Sequence, residues 1–193
     1  MICRRKLLAS GLSAVVAPAF APRAMAEEAG KSRVTAYAFV FRALGEGDIR
    51  LADHAGRPIL VVNTASLCGY TPQYAGLQEL YLRYRERGLM VVGVPSNDFG
   101  GQEPGGEAEI GHTAHGQFGV SFPMAAKTSV KGPSAHGFYR WVAAERPLDT
   151  PRWNFHKYLV GKDGRLAGSF GTQIEPLDAR VTSAIEKELR PAG

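Results

Sequence analysis

The chain has 193 residues, 45% of them hydrophobic and 9% aromatic, which suits one globular domain with a real core and argues against disorder. Its formal net charge of +5 is of the kind seen in proteins that bind nucleic acid or membranes. Residues 1–26 account for that excess, because they hold four basic residues and no acidic ones; the remainder has 19 basic and 18 acidic residues. The charge therefore gives no support for a nucleic-acid partner.

The first 26 residues have the three parts of an export signal. A basic start (Arg4, Arg5 and Lys6) is followed by an apolar stretch over residues 7–20 and by the small-residue pattern Ala24-Met25-Ala26. We predict a cleavable signal peptide over residues 1–26, and the paired arginines favour the twin-arginine route. An uncleaved anchor is the alternative, which the short stretch of small residues disfavours. Residues 27–193 then form a single exported domain, and we expect it in the periplasm.

The mature chain begins with a predicted β-hairpin and continues into a strand, a helix and a second strand. Apolar side chains alternate over residues 37–44, and residues 48–51 return after the turn Gly45-Glu46-Gly47. Two continuous apolar runs, residues 59–62 and 89–94, are typical of strands buried on both faces of a parallel sheet.

The helix between these two strands has clear end signals. Thr71 fits the N-cap position, Pro72 the first helical position and Gly88 the residue after the helix end. Apolar side chains recur between them at helical spacing, at Tyr74, Leu77, Leu80, Tyr81 and Tyr84. A strand, a helix and a strand of these lengths predict a right-handed βαβ unit.

The second half of the chain predicts three more helices and a second hairpin. The helices span residues 107–118, 134–144 and 175–189. Strands over residues 157–160 and 166–170 flank the turn signal Lys162-Asp163-Gly164.

Cys68 follows the first buried strand and precedes the first helix. At a helix N-terminus, free N–H groups and the helix dipole favour a thiolate. The alternative is an inert cysteine packed as a small hydrophobe, which is the usual fate of a lone cysteine. Cys3 leaves with the signal, so the mature protein has a single thiol in a compartment where disulfides form. Such a leftover thiol indicates intermolecular pairing or chemistry.

A second loop, residues 95–105, follows the second strand. Active groups of open α/β sheets lie beyond the carboxyl ends of such strands, so we expect this loop to meet the Cys68 loop. Its Gly100-Gly101 pair allows close backbone approach, but it is not a phosphate-binding G-x-G-x-x-G motif. Gln102 in this loop, taken alone, is most simply a solvated side chain.

Three segments closely resemble the glutathione peroxidase family. They are residues 62–74 (Val-Asn-Thr-Ala-Ser-Leu-Cys-Gly-Tyr-Thr-Pro-Gln-Tyr), 97–105 (Asn-Asp-Phe-Gly-Gly-Gln-Glu-Pro-Gly) and 153–155 (Trp-Asn-Phe). They stand in the right order, and the likeness runs from about residue 37 to the last helix. The resemblance implies a thioredoxin-like α/β fold, with a central mixed sheet flanked by helices and an N-terminal β-hairpin.

The resemblance also implies a catalytic set of Cys68, Gln102, Trp153 and Asn154. In the family the first position holds the peroxidatic cysteine or selenocysteine, and the other three hydrogen-bond around it. Amide and indole N–H groups can stabilise a thiolate and then the oxygen charge that develops as the O–O bond breaks. The implied function is a thiol-dependent peroxidase that reduces H2O2 or organic and lipid hydroperoxides through a Cys68 sulfenic acid and protects against oxidative stress.

The sequence departs from the family pattern at several positions. Ala114 stands where thioredoxin-using members carry a resolving cysteine, so we expect no internal resolver and glutathione or another thiol as co-substrate. Ser96 stands where many relatives have another cysteine. Asp98 replaces a usual glutamine and Leu67 a common lysine; both changes disfavour a thiolate and predict modest activity.

The connection between Val130 and Phe138 is short, whereas tetrameric relatives carry an added loop in this region. It predicts a monomer with an open site, which resembles members that act on bulky lipid hydroperoxides. We expect no cofactor and no metal: His112 and His115 share a helix face, but without a third ligand they are better explained as surface residues.

Two other functions stay open. In one, the chain is a redox sensor or interaction module, and oxidised Cys68 forms a mixed disulfide with a partner protein. The missing resolver is compatible with that function and with a peroxidase. In the other, thioredoxin-like proteins reduce the enzyme directly, which a single cysteine disfavours.

Overall fold

The computed structural model describes residues 33–191, and the predicted signal peptide over residues 1–26 lies outside this part of the chain. Six strands and four α-helices follow one another within it. The strands are β1 (Val40–Arg42), β2 (Asp48–Arg50), β3 (Ile59–Thr64), β4 (Met90–Pro95), β5 (Lys157–Val160) and β6 (Leu166–Phe170). The helices are α1 (Gln73–Tyr84), α2 (Glu107–Gly111), α3 (Gly137–Glu145) and α4 (Ala179–Leu189).

Four of the strands form a mixed sheet in the order β4-β3-β5-β6. β3 and β4 run parallel, with Ile59 opposite Met90, while β5 pairs antiparallel with β3 and β6 antiparallel with β5. Every residue of β3 and β4 is buried, which explains why both segments are continuous apolar runs. The predicted βαβ unit and mixed sheet are confirmed.

The N-terminal hairpin is confirmed, although its strands are shorter than the sequence predicted. β1 and β2 pair antiparallel over three residues each. Tyr37, assigned to the first strand, instead lies in a 3-10 turn over Ala36–Ala38 and donates its hydroxyl to the Lys162 carbonyl (2.6 Å). This hydrogen bond joins Tyr37 to the turn after β5 instead of to the hairpin.

Side chains on the two faces of β3 enter two separate apolar clusters. Leu60 and Val62 pack in one cluster with residues of α1 and α4, among them Leu77, Val181 and Ile185. Ile59 and Val61 pack in the other, with the hairpin and α3, where Phe138, Trp141 and Val142 are buried as predicted. The alternation follows from the two-residue period of a strand. The sheet is therefore covered on both faces, and its strand ends carry the loops of interest.

Three helix starts differ from the prediction. α1 begins at Gln73, with Pro72 rather than Thr71 as its N-cap residue. α4 begins at Ala179 instead of residue 175, because the Asp178 side chain accepts a hydrogen bond from the Arg180 N–H (2.9 Å) and caps the helix there. α3 begins at Gly137, after a His136 side chain that accepts from the Phe138 N–H.

The helix predicted over residues 107–118 is divided. Its first part is α2, and its second part, His112–Gln117, is a π-helix. Gly88 has a φ of 107° and follows a 3-10 turn over Arg85–Arg87, so it ends the α1 segment as predicted. No helix within residues 33–191 combines the length and the apolar character that crossing a membrane requires.

Candidate active site

Cys68 lies in a closed loop between β3 and α1. The Cys68 N–H donates to the Thr71 hydroxyl (3.1 Å), and that hydroxyl donates to the Ala65 carbonyl (2.9 Å). The Thr71 N–H returns to the Cys68 carbonyl (2.9 Å). Thr71 therefore closes the cysteine loop rather than capping the helix, which corrects the sequence prediction. A hydroxyl serves here because it accepts and donates at once.

The Cys68 sulfur is close to a main-chain donor. The residue is only 7% exposed, and the Tyr70 N–H donates to its Sγ at 3.4 Å. Both residues lie ahead of α1, whose N-terminus is the positive end of the helix dipole. The sulfur therefore has a main-chain hydrogen-bond donor at the start of the α1 segment.

Gln102 and Asn154 are brought together from distant parts of the chain. The Asn154 Nδ2 donates to the Gln102 Oε1 at 2.9 Å, and Asn154 is fully buried. The Gln102 carbonyl accepts from the Leu67 N–H (2.9 Å), so the second loop is joined to the residue before Cys68. The two loops meet, as the sequence predicted.

Trp153 lies beside this pair but is 38% exposed. Its ring packs against Phe99, with centroids 6.1 Å apart. A side chain at Gly100, which has a φ of +65°, would come within 3.3 Å of the indole, so glycine is needed there. Within residues 33–191, the Cys68 Sγ accepts a hydrogen bond from Tyr70 only, and none from Gln102, Trp153 or Asn154.

The Trp-Asn-Phe segment is fixed to β3 by Asn63. The Asn63 Nδ2 donates to the Trp153 carbonyl (3.1 Å), and the Asn63 carbonyl accepts from the Phe155 N–H (2.6 Å). Phe155 has a φ of 60°, a left-handed backbone that is uncommon outside glycine. The Thr172 hydroxyl holds the Asn154 carbonyl at 2.7 Å.

A buried lysine hydrogen-bonds to the same Trp-Asn-Phe segment. Lys157 is fully buried, and its Nζ donates to the Gln73 Oε1 (2.6 Å), the Phe155 carbonyl (2.8 Å) and the Ile174 carbonyl (2.7 Å). Burial lowers the pKa of Lys157 to about 7, and the Glu175 carboxylate partly opposes the shift. Neither Lys157 nor Gln73 was predicted to have a role; an ionisable residue within an apolar strand was the available signal.

Asp98, in the second loop, is hydrogen-bonded to the segment before α3. Its Oδ2 accepts hydrogen bonds from the Val130 N–H (2.6 Å), the Lys131 N–H (3.1 Å) and the Ser129 hydroxyl (3.0 Å). The carboxylate is thus bound to the short connection before α3 and has no hydrogen bond to the cysteine loop. Asp98 fixes that connection against the Gln102 loop.

The structure also places the other residues singled out from the sequence. Ser96 is buried, and its hydroxyl accepts from the Asp98 N–H (3.3 Å). Ala114, at the resolver position, is fully buried in the π-helix. His112 is exposed, and the Nδ1 of the exposed His115 lies 2.8 Å from the Val120 carbonyl. The part of the chain that the structure describes has no cluster of three or more potential metal ligands.

A cavity of about 900 Å³ opens next to the cysteine loop. Tyr70 and Trp153 line it together with polar and charged side chains, among them Asp149 and Arg152. Leu148, also in the lining, is 87% exposed, and Leu67, next to Cys68 in the chain, is 67% exposed. Apolar side chains are therefore exposed both in the cavity and beside Cys68.

Comparison with known proteins identifies the group to which this chain is related. A sequence profile described as glutathione peroxidase matches residues 36–143. The hydroperoxy fatty acid reductase gpx1 of Synechocystis sp. is 40% identical over 164 residues, which cover 80% of this chain and 96% of that protein.

Solved structures give the same result. The crystal structure of Trgpx in its apo form is 30% identical, with a TM-score of 0.66 over 83% of this chain and 99% of that one. A thioredoxin family thiol:disulfide interchange protein from Chlorobium tepidum is 12% identical, with a TM-score of 0.57 over 79% of this chain and 93% of that one, and shows the fold alone. The fold is thioredoxin-like, and the chain belongs to the glutathione peroxidase family, as a thiol-dependent peroxidase that reduces hydroperoxides.

Proposed function

We propose that Cys68 is the peroxidatic residue of this enzyme. Its thiolate attacks one peroxide oxygen, an S–O bond forms and the O–O bond breaks. The sulfur is oxidised to a sulfenic acid, and the leaving oxygen takes up a proton and departs as water or an alcohol. The observation that carries the proposal is the Tyr70 N–H on Sγ, from a residue that also lines the neighbouring cavity.

Gln102, Asn154 and Trp153 are the proposed donors around the reacting atoms. The Asn154 amide engages the Oε1 of Gln102, which orients the Gln102 side chain. The Gln102 Nε2 and the Trp153 indole N–H make no hydrogen bond within residues 33–191, so both are available to a bound peroxide. Donors already in place stabilise charge in the transition state without reorganisation.

An external thiol completes the proposed cycle. Cys68 is the free cysteine of the described residues, and the resolver position holds a buried alanine. A thiol such as glutathione condenses with the sulfenic acid, releasing water and forming a mixed disulfide. A second thiol then attacks that disulfide and frees Cys68 as the thiolate. The cavity beside Tyr70 and Trp153 offers the space for this thiol.

Bulky hydroperoxides are the proposed substrates alongside H2O2. Leu67 beside Cys68, and Leu148 and Trp153 in the cavity lining, are exposed apolar side chains against which an acyl chain can pack. Two relatives from Synechocystis carry the name hydroperoxy fatty acid reductase, which supports a substrate of this class. From the short connection between Val130 and Phe138, the site is proposed to be open and the protein to act as a monomer.

The proposed site of action is the periplasm, after removal of residues 1–26. The support is the basic, apolar and small-residue pattern of those residues. The competing role, a peroxide sensor that forms mixed disulfides through Cys68, shares the first oxidation step but needs little turnover.

The decisive test is steady-state peroxide consumption by residues 27–193, with Cys68→Ser as the control. Catalytic consumption of a fatty acid hydroperoxide with glutathione, absent in the control, is the expected result. A parallel assay with a thioredoxin system identifies the alternative reductant. A single equivalent consumed with every donor, together with a trapped protein disulfide, would favour the sensor.

A further inference from the structure

Five buried side-chain oxygens on the elements around Cys68 make no hydrogen bond within residues 33–191. They are the Thr64 Oγ1, the Ser66 Oγ, the Tyr74 hydroxyl and both carboxyl oxygens of Glu103. Thr64 ends β3, Ser66 lies two residues before Cys68, and Tyr74 is in the first turn of α1. Glu103 directly follows Gln102 and is fully buried. The segments that carry Cys68 and Gln102 therefore also carry a set of buried polar side chains.

The four side chains lie close enough to affect one another's pKa. Burial raises the pKa of Glu103, and the Ser66 hydroxyl, the Ser66 N–H and the Lys127 ammonium each lower it in part. Burial also raises the pKa of Tyr74; the Thr64 hydroxyl lowers it, and the Glu103 carboxylate raises it further. Each of the four side chains is thus within interaction range of at least one other.

An unpaired buried polar group costs about 1–3 kcal/mol, so a set of them at one place calls for a shared partner. Internal water is that partner in folded proteins, since one molecule typically makes about three hydrogen bonds. A protonated Glu103 adds a donor to a set that otherwise holds three hydroxyls and two acceptor oxygens.

We propose that Glu103 is a positioning residue for the peroxidase reaction: its buried carboxyl holds the cysteine loop through internal water that it shares with Ser66, Thr64 and Tyr74. The inference rests on Cys68 being the reacting residue. The Leu67 N–H already donates to the Gln102 carbonyl (2.9 Å). Water between Ser66 and Glu103 adds a second connection between the same two loops, so the sulfur and the Gln102 amide keep a fixed separation.

The ionisation of Glu103 sets how well this arrangement serves the reaction. An ionised carboxyl loses the O–H donor that it adds to this set and leaves a buried charge behind the cysteine loop, so the hydrogen bonds that position the loop are weakened. The groups that face it are Ser66, Tyr74 and the Lys127 ammonium, which also donates to the Glu103 carbonyl (3.2 Å). The rate per thiolate therefore falls as Glu103 loses its proton.

Two substitutions separate shape from charge. Glu103→Gln keeps the shape and the donors but cannot ionise, whereas Glu103→Leu removes all polar contacts. Glu107→Gln is the matched control, because it neutralises a half-exposed carboxylate on the same segment. The measurement is the rate constant for Cys68 oxidation by H2O2 across pH, divided by the thiolate fraction from ultraviolet absorbance.

We expect Glu103→Leu to be about tenfold slower and Glu103→Gln to stay within about threefold of the wild type, in line with the cost of small misplacements. The ionisation seen in the wild-type profile is expected to vanish in Glu103→Gln and to persist in the control. Equal rates for Glu103→Leu and the wild type, or identical profiles for the wild type and Glu103→Gln, would overturn the inference.

A second measurement covers a leucine variant that fails to fold. Infrared spectra of the wild type should contain a protonated-carboxyl band that titrates above the ordinary glutamate pKa of 4.5 and is missing from Glu103→Gln. Its absence in the wild type contradicts the role of Glu103 without touching the peroxidase. If Cys68 itself gives no sulfenic acid while the band is present, the proposed function fails instead.

Discussion

Lys157 makes the stability of the fold depend on pH in a calculable way. Its ammonium is fully buried and bonded to three neutral carbonyl groups, from Gln73, Phe155 and Ile174. Burial lowers its pKa from 10.5 to about 7. Between those two values the unfolded chain holds a proton that the folded chain has released, so the free energy of unfolding rises with pH.

The size of the effect follows from the shift. Integrating the difference in bound protons between about pH 7 and pH 9 gives about 2.3 kcal/mol of added stability. His156, whose pKa burial lowers to about 4, completes its contribution below this window. Burial raises the pKa values of Tyr74 and Tyr158 above 10, so their opposing effect begins above the window. The neutral amine keeps two N–H donors, so it can retain two of the three hydrogen bonds after titration.

The assay is urea unfolding across this pH range in a Cys68→Ser background, which removes thiol ionisation and oxidation. Lys157→Met should abolish the rise, while Lys187→Met, at an exposed lysine of α4, should retain it. If Lys157→Met does not fold, Lys157→Gln gives the same comparison. A parent protein whose free energy of unfolding is flat from about pH 7 to pH 9 would refute the assignment.

Three further substitutions test the loops around Cys68. Thr71→Val removes the hydroxyl that closes the cysteine loop, so we expect a loss of about 1–3 kcal/mol in urea unfolding and slower sulfenic acid formation; unchanged values for both would contradict this role. Asp98→Ala should raise hydrogen exchange over residues 129–131, because their two N–H donors lose the carboxylate, and should leave exchange in α4 as it was. Gly100→Ala should reduce peroxidase activity with a small change in stability, since its Cβ would lie 3.3 Å from the Trp153 ring in a left-handed backbone; full activity would show that Trp153 tolerates displacement.

The βαβ unit and the place of Cys68 in the chain between its first strand and its helix were predictable from sequence because they follow from local patterns. The β3 and β4 segments are continuous apolar runs, and their burial on both faces confirms that interpretation. The meeting of the Cys68 and Gln102 loops followed from parallel strands ending at one edge of the sheet. Helix starts were less certain, as at Asp178, where one capping side chain outweighed the apolar spacing.

The polar contacts could not be predicted, since each joins residues far apart in the chain. Lys157 and Gln73 are 84 positions apart, and Asp98 reaches residues more than 30 positions away. The sequence around these residues does not indicate which distant residue is the hydrogen-bond partner. Thr71 was misassigned for a related reason. A threonine before a proline satisfies the N-cap pattern, but the Thr71 hydroxyl donates to the Ala65 carbonyl instead.

Asn63 links the Trp-Asn-Phe segment to β3, the strand that leads into the Cys68 loop. Through its side chain and its main chain it binds Trp153, Phe155 and His156, while the same strand runs on directly into the Cys68 loop. These hydrogen bonds run directly from β3 to residues 153–156 and include no residue of the long stretch between the second loop and Trp153. Insertions or deletions in the connection before α3 can therefore change access, partners or assembly while the sulfur and the Asn154 amide stay in register.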